Sequence, residues 1–160
     1  MRKLTLVFIS LFVFATATLS AQSKKDIKKN AIKSCTSIDT ENGKTVNNKK
    51  TLYNSKGKVT EEVEYTKEGK IKSTKKYLYN SEGDETQEEE YDGNNVLIEK
   101  KISKYNSLGE KTEEWIYDSA AKLKKKYVYT YNDKGLKIER KTLDAADKVL
   151  SVRKYTYEYK

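Results

Sequence analysis

Residues 115–131 are the stretch of this sequence whose residue types invite a binding chemistry. Trp115, the only tryptophan, is followed by Tyr127, Tyr129 and Tyr131, with Lys124, Lys125 and Lys126 just ahead of the tyrosines. Aromatic rings beside ammonium groups suit an anionic glycan or a protein with an acidic surface. Counting in steps of two puts the four aromatics on adjacent strands and in one phase, beside the lysines. Nucleic acid uses the same combination of stacking and charge, but the export signal described below makes it a poor candidate, and none is expected.

Catalysis has less to work with. The chain contains no His, the usual general base and metal ligand near neutral pH. Cys35 is the only cysteine, so it has neither a His partner for nucleophilic attack nor a second Cys for an internal disulfide. It reads as a small half-buried residue, with intermolecular pairing or a reactive thiol as the functional alternative. Paired carboxylates hydrolyse glycosides in other proteins, yet Glu61, Glu88, Glu89 and Glu113 recur in register with a repeat, which favours ladder partners. Asp92 and Asp144 fall in turns, where capping accounts for them. No Gly-rich phosphate loop and no Cys or His metal spacing occurs. The expectation is a non-enzymatic protein without metal or cofactor.

The elements that carry these residues are set by a repeat. Tyr53-Asn54-Ser55-Lys56-Gly57 returns as Tyr79-Asn80-Ser81-Glu82-Gly83, Tyr105-Asn106-Ser107-Leu108-Gly109 and Tyr131-Asn132-Asp133-Lys134-Gly135, 26 residues apart each time. One further step reaches Tyr157. A fixed period in this range marks a repeat architecture. Each unit divides into a 12-residue half that opens on the Asn-x-x-Gly turn and a 14-residue half. The second half turns on looser versions, at Thr66 to Gly69, Asp92 to Asn95, Asp118 to Ala121 and Asp144 to Asp147. Asn bonds its own backbone and Gly accepts positive φ, so Asn54 with Gly57, Asn80 with Gly83, Asn106 with Gly109 and Asn132 with Gly135 are structural turn residues. Between turns lie runs rich in Tyr, Val, Ile and Thr, which favour strands. The fold class is therefore all-β, an antiparallel meander of about ten strands built from four 26-residue β-hairpin repeats.

Charge follows the same division. Short strands carry acids, such as Glu61, Glu62 and Glu64 or Glu88 to Glu90; long strands carry bases, such as Lys75 and Lys76 or Lys100, Lys101 and Lys104. In a meander these alternate, so the charge runs read as solvated cross-strand ladders that also blunt edge-to-edge aggregation. Counting from the strand-end tyrosines gives one aromatic and aliphatic face and one face of Lys, Glu and Thr. No long amphipathic helix is available to cover the apolar side. The sheet must curl on itself, dimerise or leave tyrosine in water.

Residues 1–21 read as a cleaved signal peptide: Arg2 and Lys3, the apolar stretch Leu4 to Leu19, then Ala21. Its loss takes the formal charge from +9 to +7, because it holds two bases and no acid. The mature chain is expected to have no transmembrane segment and to lie in the periplasm, on the outer cell surface or outside the cell. Residues 22–34 suggest a short helix, with Ser23 and Asp26 in a capping-box pattern, or an arm docking on the sheet edge. Residues 35–160 form the β-hairpin repeat domain.

Tyr129-Thr130-Tyr131-Asn132-Asp133-Lys134-Gly135 and Tyr77-Leu78-Tyr79-Asn80-Ser81-Glu82-Gly83 resemble the YD (RHS-type) repeat, Tyr-x-Tyr-Asp-x-x-Gly-Arg-Leu. They differ in having Asn for Asp and no Arg after the Gly. In that family such units build strand-rich shells or extracellular sheets with carbohydrate-binding associations, although four units are too few to enclose anything. The chain also resembles an uncharacterised family of small exported proteins from Gram-negative gut anaerobes, and more weakly the MORN-type hairpin arrays. Two functions are carried forward. One is a structural or protein-interaction module of the cell envelope, pairing with a protein or with itself; the other is a carbohydrate-binding module that uses a tyrosine-rich sheet face.

Overall fold

Turn chemistry sets the architecture, and it is more uniform than the sequence suggests. In the computed structural model, which describes residues 23–160, the Asn54 N–H donates to the Lys58 carbonyl and the Gly57 N–H donates back to the Asn54 carbonyl, both at 2.9 Å. The Asn54 side-chain oxygen accepts the N–H groups of Lys56 and Lys58 at 3.0 Å. Asp92, Asp118 and Asp144 hold their own turns with the same pair of side-chain bonds. These three second-half turns are thus not looser but the same three-residue loop with Asp in place of Asn, whereas the Thr66 turn is looser, its hydroxyl accepting from the Glu68 N–H at 3.3 Å. The residue three places on takes positive φ in both classes: Gly57 and Gly83 in one, Asn95, Ala121 and Asp147 in the other. Ala121 at φ 57° is the least suited of these, because its Cβ crowds the following carbonyl.

These turns join ten strands: β1 (Ser34–Glu41), β2 (Lys44–Tyr53), β3 (Val59–Tyr65), β4 (Ile71–Tyr79), β5 (Glu85–Asp92), β6 (Leu97–Tyr105), β7 (Lys111–Tyr117), β8 (Leu123–Tyr131), β9 (Lys137–Asp144) and β10 (Val149–Lys154). They form one antiparallel sheet in sequence order, as the meander expectation requires. β1 and β2 are joined by Asn42-Gly43, with φ of 50° and 74°, the two-residue turn whose twist matches the strands. A register shift lies beside every connection, that of β1 and β2 included, leaving one unpaired residue near the turn.

The bulges explain the strand-end tyrosines. The Tyr79 hydroxyl donates to the Val59 carbonyl at 2.7 Å, and Tyr105, Tyr131 and Tyr157 do the same to Glu85, Lys111 and Lys137, always 20 residues back. Each accepting residue stands next to a bulge that interrupts the ladder. The repeat therefore keeps a Tyr there because its hydroxyl satisfies a carbonyl beside the bulge, at a net gain of about 1 kcal/mol per bond.

Every strand packs against its sequence neighbours, and β1 and β10 each pair on one side only. No second layer covers the sheet among the described residues. The buried apolar side chains are Ile27, Val63 and Ile116, at 4%, 6% and 2% exposure, so the core is a set of isolated points. The described sheet stays open, with its tyrosines half-buried except Tyr157 and Tyr159, which are exposed.

A six-residue helix, α1 (Lys24–Lys29), precedes the sheet. Ser23 caps it, accepting from the Asp26 N–H and donating to the Asp26 carboxylate at 2.7 Å. Its single apolar contact residue, Ile27, is buried at the turn joining β2 and β3. A Cβ on Gly57 would come within 2.8 Å of the Lys24 carbonyl oxygen, so the helix lies against the first Asn turn. The expected leader, 1–21, and Gln22 lie outside the described residues.

Candidate functional site

Register decides which residues share a face, and it divides the aromatic patch the sequence suggests. Trp115 pairs with Ile102 on one side and Lys126 on the other, whereas Tyr127 pairs with Glu114 and Tyr129 with Arg140. Neighbours along a strand point to opposite faces. Trp115 and Lys126 therefore lie on one face, and Tyr127, Tyr129, Tyr131 and Lys125 on the other. Lys124 is the unpaired residue of the bulge beside Tyr117 and is exposed. The expectation of one phase fails because short strands and long strands end at opposite edges of the meander. Counting back from their terminal tyrosines reaches opposite faces.

The single apolar stripe is likewise two stripes. On the Trp115 face, the cross-strand pairs Tyr65–Ile71, Tyr91–Leu97, Tyr117–Leu123 and Leu143–Val149 line the end near the Asp-type turns. On the other face, the tied tyrosines line the opposite end. Trp115 itself is occupied: the Lys104 ammonium stands 4.0 Å and the Lys126 ammonium 5.3 Å from its ring centroid. Its indole N–H donates to Glu113 at 2.8 Å, and Lys104 holds that carboxyl below the ordinary glutamate value. Lys126 is itself paired with Asp147.

On the opposite face, Tyr127 and Tyr129 stand 6.5 Å apart, tilted by 39°. The Arg140 guanidinium lies 5.0 Å from the Tyr127 ring and the Lys137 ammonium 4.2 Å from the Tyr129 ring. Burial, followed by the charge of Glu114, pushes the Tyr129 hydroxyl up to about 12. Tyr131 is one of the tyrosines tied to a bulge, donating to the Lys111 carbonyl at 2.8 Å, so its hydroxyl is engaged in the fold.

The rest of that face is a charge ladder. Lys49 meets Glu62 at 2.6 Å, Lys75 meets Glu88 at 3.4 Å, and Lys101 meets the same Glu88 oxygen at 3.1 Å. Burial works against the ionised Glu88, but Lys101 and Lys75 outweigh it and hold the carboxyl below its ordinary value. Burial also disfavours the charged Lys101, and Glu88 reverses that too, leaving the ammonium above its ordinary value. Beneath the ladder, Tyr77 donates to Glu62 at 3.1 Å, and burial together with that carboxylate raises its pKa. The alternation of acidic and basic strands expected from the sequence is thus present.

Two residues were not singled out by their type: Arg140 and Arg153. They face each other across β9 and β10. The spacing of 13 residues between the bonded partners Lys75, Glu88 and Lys101 is the signal that finds them. The same step runs Lys49, Glu62, Lys75, Glu88, Lys101, Glu114, Tyr127, Arg140, Arg153. Cys35 is a free, half-buried thiol opposite Thr51. Among the described residues, no group of three or more Cys, Asp and Glu side chains is placed to hold a metal ion.

Fold and register define a class: an open, single-layer antiparallel sheet built from tandem hairpins. No family model and no curated protein matches the chain. Among solved structures, it is distantly similar over 78% of its length to a porin-like protein from Bacteroides uniformis, with 17% identity and a TM-score of 0.46. The chain spans about half, 49%, of that protein. It is also similar over 79% of its length to a Bacteroides fragilis protein of unknown function, at 15% identity and a TM-score of 0.41, spanning 96% of that protein.

Proposed function

We propose that this chain is a non-enzymatic interaction module of the cell envelope whose sheet is completed by a protein partner. The observation that carries this reading is the uncovered sheet: among the described side chains of its ten strands two apolar ones are buried, Val63 and Ile116, while Leu78, Val149 and Leu150 are about half exposed. Single-layer sheets with apolar stripes on both faces gain by being covered, since each buried Å² of apolar surface contributes about 25 cal/mol. The envelope setting rests on the Arg2-Lys3 and Leu4–Leu19 leader pattern. The second reading, a carbohydrate-binding face, rests on Tyr127 and Tyr129 standing side by side with cations around them.

Trp115 reports on this without a label. Its emission and quenching are followed in the purified protein over a dilution series, with acrylamide and with iodide. A covered face gives a blue, protected signal that reddens on dilution or is restored by partner. A signal that is open at every concentration overturns the interaction reading, and tyrosine emission that shifts on adding polysaccharide, from the face that carries Tyr127 and Tyr129, then favours carbohydrate binding.

A further inference from the structure

The ladder with the 13-residue step alternates base and acid from Lys49 to Glu114 and then breaks. Positions 62, 88 and 114 are Glu, and the next in the series is Arg140. Positions 49, 75 and 101 are Lys, and the next are Tyr127 and Arg153. The break leaves Arg140 directly opposite Arg153, a like-charge pair that destabilises a sheet unless something offsets it. No described acid forms an ion pair with either guanidinium, and the Arg140 Nε is buried without a hydrogen-bond partner. These are also the only arginines in residues 23–160; every other base there is Lys. Arginine is the base whose planar fork grips a carboxylate with two parallel bonds.

The pair stands beside an open edge. β10 pairs with β9 alone, so its outward N–H and C=O groups form a template for another strand. The repeat's register says what that strand would offer. β4 carries Lys75 and Lys76 at the positions that Arg153 and Lys154 occupy in β10, and the following strand sets Glu90 and Glu89 against them. β2 carries Lys49 and Lys50 there and faces Glu64 and Val63. A second copy joining head to tail would present β1, where Ser37 pairs with Lys49 as Glu62 pairs with Lys75, and the same register would set Asp39 and Ile38 against the two bases. By its pairing with β2, β1 has Thr36, Ser37 and Asp39 where β3 has Glu61, Glu62 and Glu64. On that face the chain's own free edge therefore carries one acid, Asp39, where β3 carries Glu62 and Glu64 and β5 carries Glu88 and Glu90, so a segment richer in acid answers the two arginines better.

We infer that Arg140, Arg153 and the open edge of β10 bind an extended, glutamate- or aspartate-rich segment of another protein as an eleventh strand. The carboxylate opposite Arg153 grips that guanidinium and offsets the charge of Arg140 one strand further in. This rests on the interaction-module reading and names the partner's chemistry. A peptide is favoured over an acidic glycan because the edge offers backbone hydrogen bonds that a peptide satisfies in ladder register.

The test uses the full purified chain and a labelled octapeptide with the Glu85–Asp92 sequence, beside the same peptide with Gln for each Glu. Fluorescence anisotropy at low salt is expected to show binding of the acidic peptide alone. Arg153→Gln, at an exposed site, should weaken it roughly tenfold. Arg140→Glu should abolish it while raising the melting temperature, because it restores the alternation of the ladder. Amide exchange should slow in β10 when the peptide is bound. Equal binding by both variants, or unchanged exchange in β10, overturns the inference. So does polygalacturonate binding through Arg140 and Arg153 in place of the peptide. If the peptide fails while Trp115 still reddens on dilution, the site falls and the interaction reading stands; if both fail, both fall.

Discussion

The strands from β3 to β7 and those from β8 to β10 share one repeat, one turn and one register, yet differ in charge. Residues 59–117 hold nine bases and 15 acids, a net −6; residues 123–160 hold 11 bases and five acids, a net +6. In the first region each Lys on the ladder face meets a Glu, and Glu88 is shared by two of them. In the second, cations lie over tyrosine rings, with Arg140 opposite Arg153. A repeat that satisfies itself internally is a scaffold; where it stops doing so with its backbone unchanged, the surplus faces outward. Local rules are broken where a structure serves something other than its own stability.

The largest expected effect separates the two regions by burial. Ile116, 2% exposed between Lys101 and Lys125, is the best-packed apolar side chain of the scaffold region. Ile116→Ala should cost about 2–5 kcal/mol in denaturant unfolding, toward the lower end because one layer leaves room to relax. Val152→Ala in β10, 47% exposed, should change stability by less than about 0.5 kcal/mol. Equal losses would mean that β10 is covered in solution.

The tyrosine ties give a smaller contrast. Tyr105→Phe removes the donor to the part-buried Glu85 carbonyl and should cost about 1 kcal/mol. Tyr157→Phe removes the equivalent bond to Lys137, but that tyrosine is 42% exposed and water replaces the hydroxyl, so the loss should be smaller. Thermal unfolding of the two variants side by side measures the difference.

Acid gives the subtlest contrast. Glu88 has a lower pKa folded than unfolded, because Lys101 and Lys75 outweigh its burial. A depressed carboxylate contributes stability that is present above the unfolded value, about 4.3, and is lost as pH falls through the folded value. Amide exchange should therefore quicken in β4, β5 and β6 before β9 and β10 as the pH drops below about 4. Simultaneous loosening would show that the ladder adds nothing local.

The period alone determined much of this molecule. Asn54, Gly57 and their equivalents fix the turns because only certain residues hold a side-chain cap and a positive φ three places apart. Strand number, sequence order and the alternation of Glu-rich with Lys-rich strands follow from turn spacing. Even the Ser23 cap of α1 is visible as Ser-x-x-Asp. Only the tertiary structure decided which face each residue takes. Side chains alternate with period two, so one bulge residue beside a turn reverses the relation between a strand's end and its neighbour's interior. That reversal sends Trp115 and Tyr127 to opposite faces. It also makes the strand-end tyrosines ties to bulge carbonyls, and it brings Arg140 against Arg153, a pair that no count within a single strand reveals.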